Sequence, residues 1–403
     1  MFSPFCPVDI RVLNRTEGIQ AVRDMLSGQK HRLLALVPRQ LCGPLALSPF
    51  FTALQGDGHA VQLMTAIPAN PSVSELRALL DELRRTAFIP TVILAIGGGS
   101  CMDLAKGASA LLHLPAQSTA TDDGVRAVIR ERAYAQEHPF VDIIAMPTTA
   151  GTGSEVTLVA VVADTHKHAK LSFTSYKLVP HAAILDPALT ATLPPKLTAT
   201  TGMDALTHAV EAYTSIQKNP VSDAFAVKAI ELIAANLPRA CEQGDDVEAR
   251  TNLALASLMA GAAFSNAMVG IVHAIGHSLG GLCHVPHGQA MMMLLPHCVR
   301  WNIDHGVHAG LYGELLGYLD PTRNAQLANA PAAERDQAVC EALFALNKSF
   351  HEKHGVPLTL RELGIEHDQL EAVAKQARYD GAALYNATEV TIEDAMEILE
   401  AVY

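Results

Sequence analysis

Basic charge is what this chain of 403 residues lacks most plainly: 29 lysines and arginines stand against 41 aspartates and glutamates, for a formal net charge of −12. Nucleic-acid backbone and anionic membrane both call for basic surface, so neither is expected as a partner. Long apolar runs are missing too. No window holds the roughly 18 uninterrupted apolar residues of a membrane span, and the opening "MFSPFCPVDIRVLNR" has no charged region followed by an apolar one, so no secretory signal is read and the chain is expected in the cytoplasm. Paired cysteines are absent as well. Cys6, Cys42, Cys101, Cys241, Cys283, Cys298 and Cys340 are odd in number and never spaced CxxC, which argues against a disulfide framework or a thiolate zinc site and predicts reduced, mostly buried thiols.

What is there describes a large buried core. Hydrophobic residues make up 49% and charged residues 17% of the chain, with a mean hydropathy of +0.19, a globular balance that disordered chains do not have. The length predicts two domains, and the charge leaves small molecules as the expected partners.

The texture changes once. Up to residue 187, strand-length apolar runs alternate with helical patterns: "HRLLALV", "HAVQLM", "SVSELRALLDELRRT", "TVILAIGGGS", "VDIIAMPTT" and "AAILD". Such alternation implies parallel βαβ units. From residue 188 the pattern is helical, with apolar residues recurring at three and four in "LTATTGMDALTHAVEAYTS", "VSDAFAVKAIELIAANL", "ARTNLALASLMAGAAFSNA", "RDQAVCEALFALNKSFHEKH" and "TIEDAMEILEAVY". Three prolines in "LDPALTATLPPKL" mark the border. The expected organisation is an α/β dinucleotide-binding domain over 1–187 and a helical metal and substrate domain over 188–403.

In the first part, an apolar strand runs into Gly97, Gly98, Gly99 and Ser100 and then into a helical pattern. Such a turn lets backbone amides and a helix N-terminus approach a phosphate. On its own GGGS is equally a tight turn without a ligand, and it is not the GxGxxG fingerprint. A second strand ends in "PTTAGTGSE", with Thr148 and Thr149. Two glycine- and hydroxyl-rich loops at the ends of parallel strands fit a dinucleotide across a sheet crevice.

In the second part, "GIVHAIGHSLGGLCHVPHGQ" puts His273, His277, His284 and His287 inside fifteen residues. His273 and His277 share a helix face, and His287 follows a glycine and proline turn. Upstream, "GMDALTHAVEAY" gives Asp204 and His208 the same i, i+4 spacing. One such pair is more often structural than functional. Two pairs and a further histidine, with no cysteine at matching spacing, describe a borderline-hard site for Fe(II) or Zn(II).

These stretches resemble the iron-dependent, group III alcohol dehydrogenases. Residues 183–211 and 270–290 match both long family signatures, and "GGGSCMDLAK" and "PTTAGTGSE" match its two nucleotide loops. The resemblance implies a Rossmann-like α/β domain followed by an all-helical metal-binding domain, the dehydroquinate synthase-like architecture, and a homodimer. It implies an NAD(P)-dependent oxidoreductase that interconverts a small primary alcohol or diol and its aldehyde. Carried over by position, Asp204, His208, His273 and His287 correspond to the metal ligands. His277 corresponds to a non-ligand histidine beside nicotinamide and substrate. Asn70, Gly97, Gly98, Gly99, Ser100, Asp103, Thr148, Thr149 and Lys170 correspond to cofactor contacts, and His284 to nothing. A divalent metal would acidify the alcohol hydroxyl, and His277, with an ordinary pKa near neutrality, is the candidate proton relay.

Two departures stand out. Where many members end the second strand on an acid that accepts from the ribose, this chain reads "LLALVPRQL", with Pro38 and Arg39. That removes repulsion toward a 2′-phosphate and offers a guanidinium, which leans the cofactor toward NADP. The family "NPR" appears as Asn386, Ala387 and Thr388. Three other readings are weighed. A glycerol-type dehydrogenase or a lyase on the same fold would share the nucleotide loops but not both long signatures. A metallohydrolase would leave the two nucleotide loops without purpose, and a non-catalytic metal-binding protein would show no nicotinamide response.

Overall fold

A parallel strand covered on both faces has no use for polar positions, so it reads as a continuous apolar run. The runs of the first half form such strands in the computed structural model, which describes residues 8–13, 17–43, 45, 47–135, 139–166, 169–307 and 309–403. They are β1 (Asp9–Val12), β2 (Arg32–Leu36), β3 (Ala60–Met64), β4 (Val92–Gly97), β5 (Asp142–Pro147) and, after an antiparallel hairpin of β6 (Val159–Asp164) and β7 (Ala169–Thr174), β8 (Ala182–Leu185). The six parallel strands lie in the order β1-β8-β5-β4-β2-β3. Leu34, Ile93 and Ile143 are in register. They face a core shared with helices α1 (Val73–Arg85), α2 (Gly99–Leu111) and α3 (Asp122–Arg130). One residue on, Ala35, Leu94 and Ile144 are in register and face the opposite core, with Val22, Leu26, Phe50 and Leu54. Each of the valine, leucine, isoleucine and phenylalanine side chains among them contributes about 1.5–3 kcal/mol on burial.

The chain steps outward from β2 to β3 and then returns past β2 to lay down β4. The strand order therefore reverses between β2 and β4, where a doubly wound sheet opens a crevice at its carboxyl edge. The β6–β7 hairpin is additional to the alternating strand and helix pattern read from the sequence. Ala160, Val162 and Phe173 bury it in the core of α1 and α2, and the Ala163 amide donates to Pro71 O at 2.8 Å. The hairpin is thus fastened to the segment that follows Asn70.

The chain divides into two compact units, residues 1–149 with 153–192, and residues 150–152 with 193–403. The second is helical from Pro195 onward: α4 (Pro195–Thr214), α5 (Pro220–Glu242), α6 (Val247–Ala267), α7 (Ile271–Leu282), α8 (His287–Asp304), α9 (Ala332–His354), α10 (Leu370–Arg378) and α11 (Ile392–Val402), with shorter turns between. From Thr198 to Thr214, α4 is buried at every position but Thr201. A helix enclosed on all sides is expected to be apolar all round, yet α4 carries Asp204, His208 and Glu211. Buried polar groups of this kind require partners.

Among the described residues no single helix is long and apolar enough to cross a membrane. The six described cysteines are free, and Cys101, Cys241, Cys298 and Cys340 are buried. Cys6 lies outside the described residues.

Candidate metal and cofactor sites

Within the first unit, the loops after β2, β3, β4 and β5 gather at the carboxyl edge of the sheet. Gly97 ends β4, and a Cβ there would lie 2.5 Å from Cys101 Cβ and 3.2 Å from Pro38 Cδ. Gly98 is the N-cap of α2, and its Cβ would crowd Thr149 Oγ1 at 3.1 Å. Glycine is thus required by contacts inside the turn, quite apart from any ligand. Gly99 and Ser100 form the first turn of α2, a thirteen-residue helix whose N-terminal end carries a partial positive charge suited to phosphate. Ser100 Oγ donates to Ala69 O at 3.0 Å, which anchors the loop of the exposed Asn70, and the Thr148 amide donates to Gly97 O at 3.1 Å. Pro38 is buried, whereas Arg39 is exposed at the start of a short turn of helix after β2.

Asp103 and Lys106, one turn apart on α2, reach the next loop and the hairpin. Lys106 is fully buried. Its Nζ meets Ser154 Oγ at 3.1 Å, Thr157 O at 2.8 Å, Thr157 Oγ1 at 2.9 Å and Val159 O at 2.9 Å. Burial pushes Lys106 down to about 8, against the opposing charges of Asp103 and Glu155. Burial raises Asp103 to about 6, although Lys106, the Val161 amide and Lys170 all favour its ionised form. Asp103 and Lys170 are thereby brought together with Lys106 and Glu155, two residues passed over in the sequence although both lie inside the quoted motifs.

Burial also pushes Glu155 up to about 7, over the pull of its own amide and of Lys106. A carboxyl whose folded pKa is raised lends stability fully below its unfolded value of 4.5 and loses it as pH rises through about 7. Glu155→Gln should therefore flatten the decline in folding stability between about pH 5 and about pH 8. At the upper end the relative gain approaches roughly 3 kcal/mol. Denaturation midpoints of parent and variant across that range check this, and parallel curves would show that Glu155 is not protonated in the fold.

In the second unit, Asp204 and His208 lie on α4, His273 and His277 on α7, and His287 opens α8. A Cβ on Gly288 would sit 2.6 Å from Thr200 O, so glycine is what lets the start of α8 approach α4 closely. Asp204, His208, His273 and His287 each offer one ligand atom, all within 4.8 Å of one another. Asp204 Oδ1 lies 3.9 Å from His208 Nε2, 3.9 Å from His273 Nε2 and 3.4 Å from His287 Nε2. His273 Nε2 is buried and has no hydrogen-bond partner. A buried imidazole nitrogen left so beside a carboxylate costs free energy unless a further group engages it. One carboxylate with three imidazoles fits Fe(II) or Zn(II).

Glu211, also buried, completes the arrangement. Its Oε2 pairs with His273 Nδ1 and its Oε1 accepts the Val272 amide at 2.7 Å. A carboxylate on the far ring nitrogen fixes the tautomer in which Nε2 is the ligand nitrogen and raises its basicity. Burial alone would lower the His273 pKa, but the charge and hydrogen bond of Glu211, with Asp204 and Asp380, raise it. For His208, burial first and then His273 and His277 hold the pKa well below the usual range, so it is neutral, as a metal ligand must be. Phe264 of α6 stacks on His208 with ring centroids 4.4 Å apart.

The joint between α6 and α7 bends the chain by 104°. There Met268 holds φ 67° and ψ 179°, a region used almost only by glycine and costing about 1–3 kcal/mol. Its amide donates to Phe264 O at 2.7 Å, Ser215 Oγ donates to Ala267 O and Asn219 Nδ2 to Asn266 O at 3.1 Å. The strained joint sets the direction in which His273 enters the site.

His277 stands outside the four-residue cluster but beside it, with ring centroids 5.7 Å from His273 and 5.6 Å from His287. Its Nδ1 lies 3.1 Å from Asp380 Oδ2. His284 is exposed, at φ 58° on the outside of the turn before α8.

Sequence comparison matches residues 11–187 to the iron-containing alcohol dehydrogenase model and residues 198–403 to the C-terminal model of the Fe-containing alcohol dehydrogenase family. The NAD-dependent methanol dehydrogenase of Bacillus methanolicus is 37% identical over 309 residues, 76% of this chain and 76% of that protein. The NADPH-dependent butanol dehydrogenase of Clostridium saccharobutylicum is 32% identical over 356 residues, 87% of this chain and 86% of that protein. Among solved structures, a 1,3-propanediol oxidoreductase superposes with a TM-score of 0.87 at 31% identity, covering 100% of both chains.

Proposed function

The chain belongs to the iron-containing alcohol dehydrogenase family, and from that membership we propose how its own residues divide the work of interconverting a small alcohol and its aldehyde. The enzyme is a metal-dependent NAD(P) alcohol dehydrogenase. In our reading Asp204, His208, His273 and His287 hold the metal, Fe(II) first and Zn(II) by the same donor chemistry. The observation that carries it is the convergence of one carboxylate and three imidazoles within 4.8 Å. A metal held there would supply Lewis acidity toward the substrate oxygen, and a nicotinamide cofactor bound in the first unit would supply the hydride chemistry. Glu211 orients His273. Gly97, Gly98, Gly99 and Ser100, with Thr148 and Thr149, cradle the cofactor phosphates at the start of α2. Asn70, Asp103 and Lys170 complete that wall. His277 moves the hydroxyl proton, and the substrate is a small primary alcohol or diol. Assembly as a homodimer belongs to the same reading, by resemblance to the family.

The cofactor form is where this chain speaks for itself. What supports NADP is that Arg39 is exposed just after β2, beside the strand reversal, with Pro38 in place of any acid. A hydrogen bond to a charged group contributes about 1.5–3 kcal/mol, so a preference for NADPH of at most roughly tenfold to hundredfold is expected. Steady-state kcat/KM for NADPH and NADH, with short alcohols and aldehydes on metal-defined parent and Arg39→Ala, tests it. A parent that favours NADH, or an NADPH value untouched by the substitution, would remove Arg39 from the cofactor site.

A further inference from the structure

One half-buried carboxylate beside the site, Asp380, takes no part in the metal cluster. Asp380 lies 103 residues beyond His277, where the chain enters a short helical turn, Gly381–Tyr385. Its two oxygens are divided. Oδ1 accepts the Ala382 amide at 2.8 Å, which locks the carboxylate to its own turn, and Oδ2 faces His277 Nδ1 at 3.1 Å. The turn comes close enough because the side chains between are small: Ala274, one helical turn before His277, packs against Ala382 and Ala383. A capped carboxylate docked on alanines is a rigid acceptor, and its direction is set by the backbone on both sides.

An ionised carboxylate can only accept. The proton of His277 therefore lies on Nδ1, pointing at Asp380, and the lone pair lies on Nε2. We propose that Asp380 is a positioning residue for His277, holding the ring plane and the tautomer in which Nε2 is the nitrogen that takes the hydroxyl proton. In that step the O–H bond of the alcohol breaks and an N–H bond forms at Nε2, while the Nδ1 proton stays where it is. The imidazolium so formed faces the charge of Asp380, and it passes its Nε2 proton to water to regain the starting tautomer. This inference rests on the relay reading of His277.

Asp380→Asn tests it sharply. An asparagine keeps one carbonyl oxygen for the Ala382 amide and turns an NH2 group toward Nδ1, which reverses the tautomer and puts the proton on Nε2. The expected result is a loss of about a hundredfold or more in kcat, with KM, the thermal midpoint and the metal content per chain unchanged. His277→Ala should lose a comparable amount, and Asp380→Asn added to His277→Ala should lose nothing more, because the carboxylate acts only through the imidazole. Full additivity in the double variant, or a metal content that falls in step with kcat, overturns the assignment. Parental activity in Asp380→Asn beside a crippled His277→Ala overturns it alone, whereas parental activity in His277→Ala overturns the relay as well.

Discussion

His273→Ala should leave a folded enzyme with almost no metal and turnover lower by about a thousandfold or more. Two losses coincide at this position. The imidazole that supplies Nε2 to the cluster disappears, and Glu211, buried and committed to His273 Nδ1 through one oxygen, keeps its charge without its partner. Three remaining ligands hold a divalent ion far less tightly. The metal's Lewis acidity is worth several kcal/mol in the transition state, and each 1.36 kcal/mol is about tenfold in rate. Elemental analysis after exhaustive dialysis, alongside turnover, reads both. As an internal control, Glu211→Gln should weaken metal binding by about 10- to 100-fold while keeping the four ligands. A His273→Ala protein with the parent's metal stoichiometry would take His273 out of the coordination sphere.

The second large effect is expected within the first unit. Lys106→Ala removes the buried ammonium that binds Ser154, Thr157 and Val159 and neutralises Asp103 and Glu155. Breaking a buried charge arrangement by removing one partner costs about 3–5 kcal/mol, because the opposite charges stay behind. In a unit of this size that corresponds to a fall in Tm on the order of 10 °C. Cofactor affinity should fall with it, since Lys106 ties α2 to the loop that follows Thr148 and Thr149. Calorimetry and fluorescence titration with NADPH check the two effects. A Tm within about 2 °C of the parent would mean that the two acids simply take up protons and that Lys106 is dispensable.

Much of this was legible in the sequence because it is helical and local. Asp204 and His208 announce a shared face by their spacing, and so do His273 and His277. Glu211 was equally legible: it lies seven residues after Asp204 and three after His208, on the same stripe of α4, and the sequence reading stopped short of it. Asp380 was not. No spacing links it to His277, and the pair exists only because Ala274, Ala382 and Ala383 let two distant segments touch. The β6–β7 hairpin escaped because the sequence between Asp164 and Ala169 has no glycine, proline or asparagine to mark a turn. β1 escaped because four residues at a sheet edge, mostly exposed, show no buried face to detect. For Arg39 the sequence states what is present at the end of β2, but a side chain's direction depends on its neighbours.

The stretch from Ala150 to Thr152 has a consequence for how such a gene can be recombined. It follows β5 directly, yet it belongs to the helical unit, where a Cβ on Gly151 would lie 2.8 Å from Thr201 O of α4. A chimera spliced at residue 192 would therefore not exchange two self-contained cassettes. It would leave residues 150–152 with the parent of the nucleotide-binding half although they pack in the helical unit, and those three must fit the other parent's α4 at Thr201, one turn from Asp204. Modularity in this fold is bounded by that loop, so recombinants that inherit residues 150–152 and α4 from the same parent are the ones expected to survive selection.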